Sequence, residues 1–575
     1  MSVSTGDLVS RVYGNFRGVD FRGEEINIRR SPDSKNVWKD YKMTDSIRTR
    51  PGMNLFHGTS KKIHSIAFYN GNMIAHIDNS LLLMNWEGTV NSTIAEVGNK
   101  RGNSFIYNGI FYFMNADRYI QYDGNEVKDV VGYVPTTSIG RRPSGGGTIH
   151  EDVNMLSPYR INTFIADGES TKYYLDVTSI GSDFVPFVTV DDEEIGYNEM
   201  SVDYAKGVIT FGQAPAAPKT DGQDNVKIKF KKTVSRYKDS ILNCSLLQVF
   251  DNRVFVSGNP TYPNTVWHCS LNDPSYFSDL DYYREGMDEA AIKGLVAGNN
   301  ALWVFRESGD SHTNVFYHTP TIDAEYGKIY PSSHSSITIG CVGKAINFND
   351  DIVFFSERGM EGISGDVTTE QAVAHRSSLV DRKLLSHEGY KNMILEEWEG
   401  YLLVIIGNAV YLADSRTAFT NEGHIEYDWF YWELGLPITC AKVYNGVLYL
   451  GTNNGIYTMS TATNGDGAYV QETDSGAHYE SYWVTPKDKF KSAHQLKTTN
   501  KRGCVAEATG DISVYVKTEN TDFELIGRHE NITDYFVSRI KRKKFKDIQL
   551  KFHSNTSFSL ETVTLECFIG GYIKR

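Results

Sequence analysis

The stretch RIKRKKFK, Arg539 to Lys546, places six cations in eight residues: Arg539, Lys541, Arg542, Lys543, Lys544 and Lys546. It belongs to a chain of 575 residues with 58 Lys and Arg against 71 Asp and Glu, a net charge of −13. Clustered cations are suited to phosphate contact, since each one displaces a counterion and makes affinity salt-dependent. Two other readings stay open. The stretch would also serve as a strand or hairpin turn facing an acidic neighbouring subunit, or as a basic face turned to water. A freely diffusing DNA-binding protein carries a basic surplus. The negative total therefore argues against tight phosphate binding as the main task and leaves transient DNA contact open.

Other reactive groupings are sparse. The acidic run Asp191, Asp192, Glu193, Glu194 offers oxygen ligands of the kind Ca²⁺ takes, or else forms a solvated hairpin tip. Cys244, Cys269, Cys341, Cys440, Cys504 and Cys567 are scattered singly, without a CxxC or Cys/His grouping. That spacing argues against structural zinc and for free buried thiols in a protein that folds in a reducing cytoplasm. HExxH, GxSxG and phosphate-loop patterns are missing. TNNGIY, Thr452 to Tyr457, approaches the Asp-box of sialidase-type propellers but lacks its Asp and Trp, so it reads as a turn. Glycoside hydrolysis needs two carboxylates at a set separation, and among 71 acidic residues the sequence singles out no pair. The expectation is a protein that is not an enzyme and uses no cofactor or metal. The N-terminus has no apolar core of a secretory signal, and no apolar run is long enough to span a membrane.

The elements that carry these residues are strands. Tyr occurs 35 times and Gly 50 times, a composition that favours strands and tight turns. One pattern recurs: apolar strand, two-residue turn, strongly apolar strand, polar break, shorter apolar piece. CAKVYNGVLYLGTNNGIYTM from Cys440 is one copy; others start at Ile63, Asn103, Cys244, Ile292, Cys341 and Asn392. Asn70-Gly71, Asn108-Gly109 and Asn445-Gly446 are preferred type I′ hairpin turns. Asp251-Asn252, Asn299-Asn300, Asn349-Asp350 and Glu399-Gly400 are weaker versions. The strand after each turn is apolar on consecutive positions, which predicts cover on both faces. Turn centres lie 38, 48, 50, 50 and 46 residues apart, the spacing of propeller blades. The expected fold is all-β: a β-propeller of six to eight blades, seven at best estimate, without the repeat signatures of WD40 or kelch blades. One gap, Asn108 to Asp251, is 143 residues and predicts a small antiparallel β domain inserted in a propeller loop. The expected division is an arm at 1–60, propeller at 61–141, inserted domain at 142–236, propeller at 237–460 and a C-terminal β domain at 461–575. The arm is expected to close the propeller or to wrap a neighbour.

Several segments together resemble one family: VDFRGEEINIRRSPDSKNVWKDY, EDVNMLSPYRINTFIADGESTKYYLD, CSLNDPSYFSDLDYY, YDWFYWELGLPITCAKVYNGVLYLGTNNGIY and the ends YWVTPKDKFKS and FIGGYIKR. They are similar to bacteriophage tail hub proteins, the packaged-DNA stabilisation or tail nozzle proteins of short-tailed phages. The resemblance implies a structural virion subunit in a homo-oligomeric ring, a hexamer, below the portal and its head-tail adaptor. Such a ring closes the channel, retains packaged DNA until genome ejection and gives attachment to tail spikes or fibres. It implies non-specific contact with DNA, no membrane partner, and a place in the virion tail after assembly in the host cytoplasm. Two alternatives remain: a receptor-binding or tail-fibre propeller that binds surface glycans, and a propeller glycosidase. An aromatic cluster at one mouth would mark the first, and facing carboxylates with raised pKa the second.

Overall fold

All seven turn pairs have both residues at positive φ: Asn70 and Gly71 at 47° and 78°, Asn108 and Gly109 at 48° and 75°, Asn445 and Gly446 at 49° and 77°. The weaker pairs follow: Asp251 and Asn252 (48°, 57°), Asn299 and Asn300 (52°, 58°), Asn349 and Asp350 (51°, 64°), Glu399 and Gly400 (52°, 77°). This is the geometry whose twist matches the flanking strands. The computed structural model describes residues 7–42, 46–234, 237–309, 313–324, 327–364, 372–421, 424–465, 467–541 and 543–572. The strand after each turn is buried along nearly its whole length; Ala301–Arg306 and Tyr401–Ile406 are buried at every residue.

Each turn opens a four-stranded antiparallel blade. The blades occupy 63–96, 103–129, 246–284, 292–334, 345–375 and 394–433, and the seventh joins 440–459 to the strand Asn54–Gly58. A blade is apolar on both faces and is stable only between neighbours, which is the logic of a β-propeller. The chain divides into two compact units, 1–101 with 339–575, and 102–338. In the first, Ile63, Ala75 and Met84 pack with Cys440, Tyr449 and Ile456, joining the first and seventh blades. Phe348, Val353 and Phe355 pack with Leu402, Val404 and Tyr411, joining the fifth and sixth. In the second unit, Tyr112 and Met114 meet Val254 and Trp267, and Phe255 and Val266 meet Ile292, Leu302 and Val304.

The second unit also holds the inserted domain. Strands between Thr136 and Lys231 form a six-stranded and a three-stranded sheet around Phe164, Tyr173, Ile209, Val226, Ile228 and Phe230. Lys227, Lys229 and Lys231 alternate with that core on the wetter face. The domain departs from a wholly antiparallel plan in one place, because Thr136–Arg141 runs parallel to Tyr159–Phe164. The connection 142–158 is long enough for the crossover a parallel pair requires.

The arm is sewn into its own chain. Asp7–Gly14 pairs with Phe558–Tyr572, Ser34–Lys35 with Ser481–Val484, and Asn54–Gly58 with Gly455–Met459. Val37–Lys39 and Ile47–Thr49 bridge the sixth blade to the C-terminal sheet. Trp38 anchors them, 1% exposed, its ring 5.6 Å from Trp398 at 5° and 5.3 Å from Trp432. At Gly455 (φ 142°) the partner strand passes so close that a Cβ would collide with the carbonyl oxygen of His57.

Candidate nucleic-acid interface

Gln495–Thr518 is a 24-residue strand of alternating burial. One of its edges is covered by three short strands, Lys544–Phe545, Tyr535–Ser538 and Glu524–Ile532. The basic stretch links the first two. Ile540 and Phe545 point inward, 2% and 0% exposed, while Arg539, Lys541, Lys544 and Lys546 are exposed. Thr499 clamps the backbone: its N–H donates to the Lys543 carbonyl at 3.0 Å, and its hydroxyl accepts the Lys543 N–H at 3.0 Å and donates to the Lys541 carbonyl at 3.3 Å. The Lys497 ammonium donates to the Lys546 carbonyl at 2.9 Å, and Glu519 accepts the Lys546 N–H at 2.9 Å. The main chain is therefore fixed and the cationic ends are left in solvent.

The six expected cations are not equivalent. Lys543 is neutralised by Glu524 at 2.6 Å. Arg542 lies outside the described residues. Arg539, Lys541, Lys544 and Lys546 have no ion-pair partner among the described residues. Two further cations join them that the sequence reading missed. Lys501 and Arg502 are exposed where the long strand shifts register between Thr499 and Cys504. Gly503, at φ 73°, sits so tightly on Ser538 that a Cβ would collide with its carbonyl oxygen, which brings the Lys501-Arg502 pair beside Arg539. The signal was present as two cations before a glycine. Residues 478–575 hold 17 Lys and Arg against 12 Asp and Glu, net +5, so residues 1–477 carry −18. The basic edge is thus part of a wider charge asymmetry.

The other sequence candidates resolve differently. Asp191 and Asp192 form a turn at φ 48° and 65° between Phe187–Val190 and Glu193–Glu194, with Asp192 on Lys227 at 2.8 Å. This is a solvated hairpin tip, and among the described residues no group of three or more His, Cys, Asp or Glu is arranged to hold a metal. In TNNGIY the Thr452 hydroxyl donates to the Gly455 carbonyl at 2.9 Å and accepts the Asn454 N–H, closing a turn. All six cysteines are free and buried. Burial holds Asp281 up at about 6, beside His268 at 3.9 Å, with Asp152 and Asp279 adding to the rise. They border the loop at the root of the inserted domain, where the Asp279 backbone N–H donates to the Val153 carbonyl and the Ser278 hydroxyl donates to the Asp152 carboxylate at 3.1 Å.

An aromatic cluster lies at the turn end of the first and seventh blades. Phe68 stacks on Tyr444 at 4.2 Å and 10°, Trp86 on Tyr444 at 5.5 Å and 23°, and Trp86 on Phe68 at 6.3 Å and 13°. The indole is 50% exposed and lies 3.8 Å from where a Cβ of Gly71 would be. No helix among the described residues is long and apolar enough to cross a membrane.

No family model and no curated protein matches the sequence. Among solved structures the chain is similar to BamB from Moraxella catarrhalis, at 12% identity and TM-score 0.34, covering 72% of this chain and 96% of that one. It is similar to the computationally designed Ika8 protein at 10% identity and TM-score 0.32, covering 71% and 99%. It is also similar to a putative gluconolactonase at 7% identity and TM-score 0.27, covering 71% and 92%. At these identities the likenesses say nothing of function.

Proposed function

We propose that this chain is a tail hub, or nozzle, subunit of a short-tailed bacteriophage. It assembles as a six-membered ring below the portal and adaptor, narrows the channel, retains the packaged genome and gives attachment to spikes or fibres. The observation that supports this reading is the basic edge. Six exposed cations, with no ion-pair partner among the described residues, line this edge in a protein whose residues 1–477 carry −18. A few cations against a repulsive background hold a phosphate backbone without trapping it, because affinity grows with each phosphate neutralised. The rigid blades suit a channel wall. A closed ring needs heterologous interfaces that complete a rotation, and the C-terminal sheet offers one face with Leu8, Val12, Tyr535 and Val537 exposed. Particles lacking the protein should fill with DNA and then lose it. Particles that keep their DNA and fail only at adsorption would overturn the reading.

A second reading has one observation in its favour. The exposed Trp86, stacked with Tyr444 and Phe68, presents the flat aromatic surface on which sugar rings pack, in line with a receptor-binding propeller. Trp86→Ala should then abolish binding to host surface glycans while leaving DNA retention intact.

A further inference from the structure

Within the first compact unit, the arm, the sixth and seventh blades and the chain leading into the C-terminal sheet meet around a cavity of about 350 Å³. The arm contributes Lys35, Asn36 and Met53, the end of the sixth blade and its turn contribute 433–436, the seventh blade Tyr457, and the last wall runs from Asp474 to Glu480. Hydrogen bonds fix these walls. The Asn36 side-chain oxygen accepts the Glu433 N–H at 2.9 Å, and its amide donates to the Glu480 carbonyl at 2.7 Å. Buried Arg50 holds the Asp474 carboxylate through two donors at 3.0 and 2.6 Å, and Asp474 also accepts the Met53 N–H at 3.0 Å. Asp474 is thus spent inside the wall. Met53 and Leu434 are buried, and with Leu436 and Tyr457 they give the cavity an apolar lining.

The charged groups of the lining are unequal. Glu433 and Glu480 share one ammonium, that of Lys35, at 3.5 and 3.6 Å, and both spacings are longer than a hydrogen bond. No other Lys or Arg lies within ion-pair distance of either carboxylate among the described residues. His553 reaches Glu480 at 3.2 Å, but burial lowers its pKa, so at neutral pH it brings no charge. The ammoniums of Lys383 and Lys551 are placed over the rings of Tyr431 at 3.4 Å and Tyr482 at 3.8 Å. Both glutamate side chains are 41% exposed, so a solute can reach them.

We propose that this cavity binds a small aliphatic amine, its ammonium between Glu433 and Glu480 and its hydrocarbon stem against Met53, Leu434, Leu436 and Tyr457. A concave apolar lining with a few charged groups is the form of a small-molecule site. The ammonium gives each carboxylate a charge-assisted hydrogen bond, which the distant Lys35 does not. With Asp474 held by Arg50, the apolar end of the cavity has no carboxylate for a second ammonium, so a monoamine fits better than a diamine. The site does not depend on the tail reading, since it shares no residue with the basic edge or with the aromatic cluster.

The test uses the full chain at neutral pH, with n-hexylamine as ligand and 1,4-diaminobutane, 1-hexanol and sodium chloride at equal ionic strength for comparison. Binding is read by calorimetry. Hexylamine should bind saturably, the diamine more weakly, and hexanol and sodium chloride not at all. Glu433→Gln and Glu480→Gln should each weaken hexylamine binding about tenfold, through the loss of one charge-assisted hydrogen bond. Both side chains are partly exposed and the replacements keep their shape, so these variants keep the test informative if another fails to fold. Lys35→Met should tighten binding, because it removes the ammonium that competes for the same two carboxylates; a purely structural Lys35 would give the opposite sign. No saturable response to hexylamine, equal binding by wild type and both Gln variants, tighter binding of the diamine, or weaker binding by a folded Lys35→Met variant overturns the site.

Discussion

The basic edge makes a quantitative prediction about salt. Six exposed cations with no ion-pair partner among the described residues, Lys501, Arg502, Arg539, Lys541, Lys544 and Lys546, offer six phosphate contacts. Duplex affinity then falls with a log–log slope of about −5.4, since each contact contributes about −0.9. Between about 50 and 200 mM salt that is a loss of roughly 2,000-fold. Replacing Arg539, Lys541, Lys544 and Lys546 with Ser leaves two contacts, a slope of about −1.8 and a loss of roughly 12-fold over the same range. Lys543→Ser is the internal control. Its ammonium is already held by Glu524 at 2.6 Å, so the slope should hardly move. The assay is fluorescence anisotropy of a labelled short duplex titrated with protein at a series of salt concentrations. A quadruple variant with the wild-type slope, or a Lys543→Ser slope that drops as far as that of Lys541→Ser, would refute the assignment of these cations to phosphate.

Three further outcomes are expected. Burial opposes protonation of His375, but its hydrogen bonds to Asp381 at 2.6 Å and Glu361 at 3.2 Å more than offset that and hold its pKa up at about 9. A raised pKa means that the folded state binds the proton more tightly. This stabilisation is full below the unfolded value of about 6.5, declines above it and is lost as pH rises through about 9, so the melting temperature of wild type should fall across that window more steeply than that of His375→Gln. Trp38→Ala removes a buried indole wedged against Trp398 and Trp432; it should cost about 3–5 kcal/mol in denaturant unfolding, with Trp38→Phe costing distinctly less. Burial pushes the Cys440 thiol up to about 11 and those of Cys269, Cys504 and Cys567 up to about 12, so a thiol reagent at pH 8 should modify the denatured chain and leave these four native thiols untouched.

Short-range chemistry was legible in the sequence. Asn, Asp and Gly tolerate φ > 0, and a type I′ turn demands it twice, so the turn pairs could be read from residue type. Even Glu399, a poor residue for φ 52°, was betrayed by the Gly that follows it. The buried strands announced themselves because consecutive apolar residues have no other use in a sheet. Pairings that join distant segments left no local trace. Ser34–Lys35 is two residues long and pairs with Tyr482 and Trp483, and Asn54–Gly58 reads as loop until Gly455–Met459 is beside it. The parallel pair in the inserted domain is hidden for the same reason. At the basic edge, composition identified the stretch but not which cation is spent on an internal ion pair, because Glu524 reaches Lys543 only through the fold. The aromatic cluster comes from two strands and the turn that holds Trp86, and no window of sequence contains it.

The strand Asn54–Gly58 completes a blade whose other strands lie at 440–459, and this has a consequence in time. A ribosome adds about 5–20 residues per second. The N-terminal strand therefore waits about 20–80 s for its partner, with its apolar neighbours already made and its backbone unpaired. The inserted domain, contiguous from Thr136 to Lys231, has no such delay and can fold while the rest is still emerging. A chain cut short before the last blade leaves the strand Asn54–Gly58 without a seat. The requirement that Asn54–Gly58 and Gly455–Met459 meet in one sheet thus acts as a check that synthesis has passed Met459, excluding shorter chains from any assembly that depends on that blade.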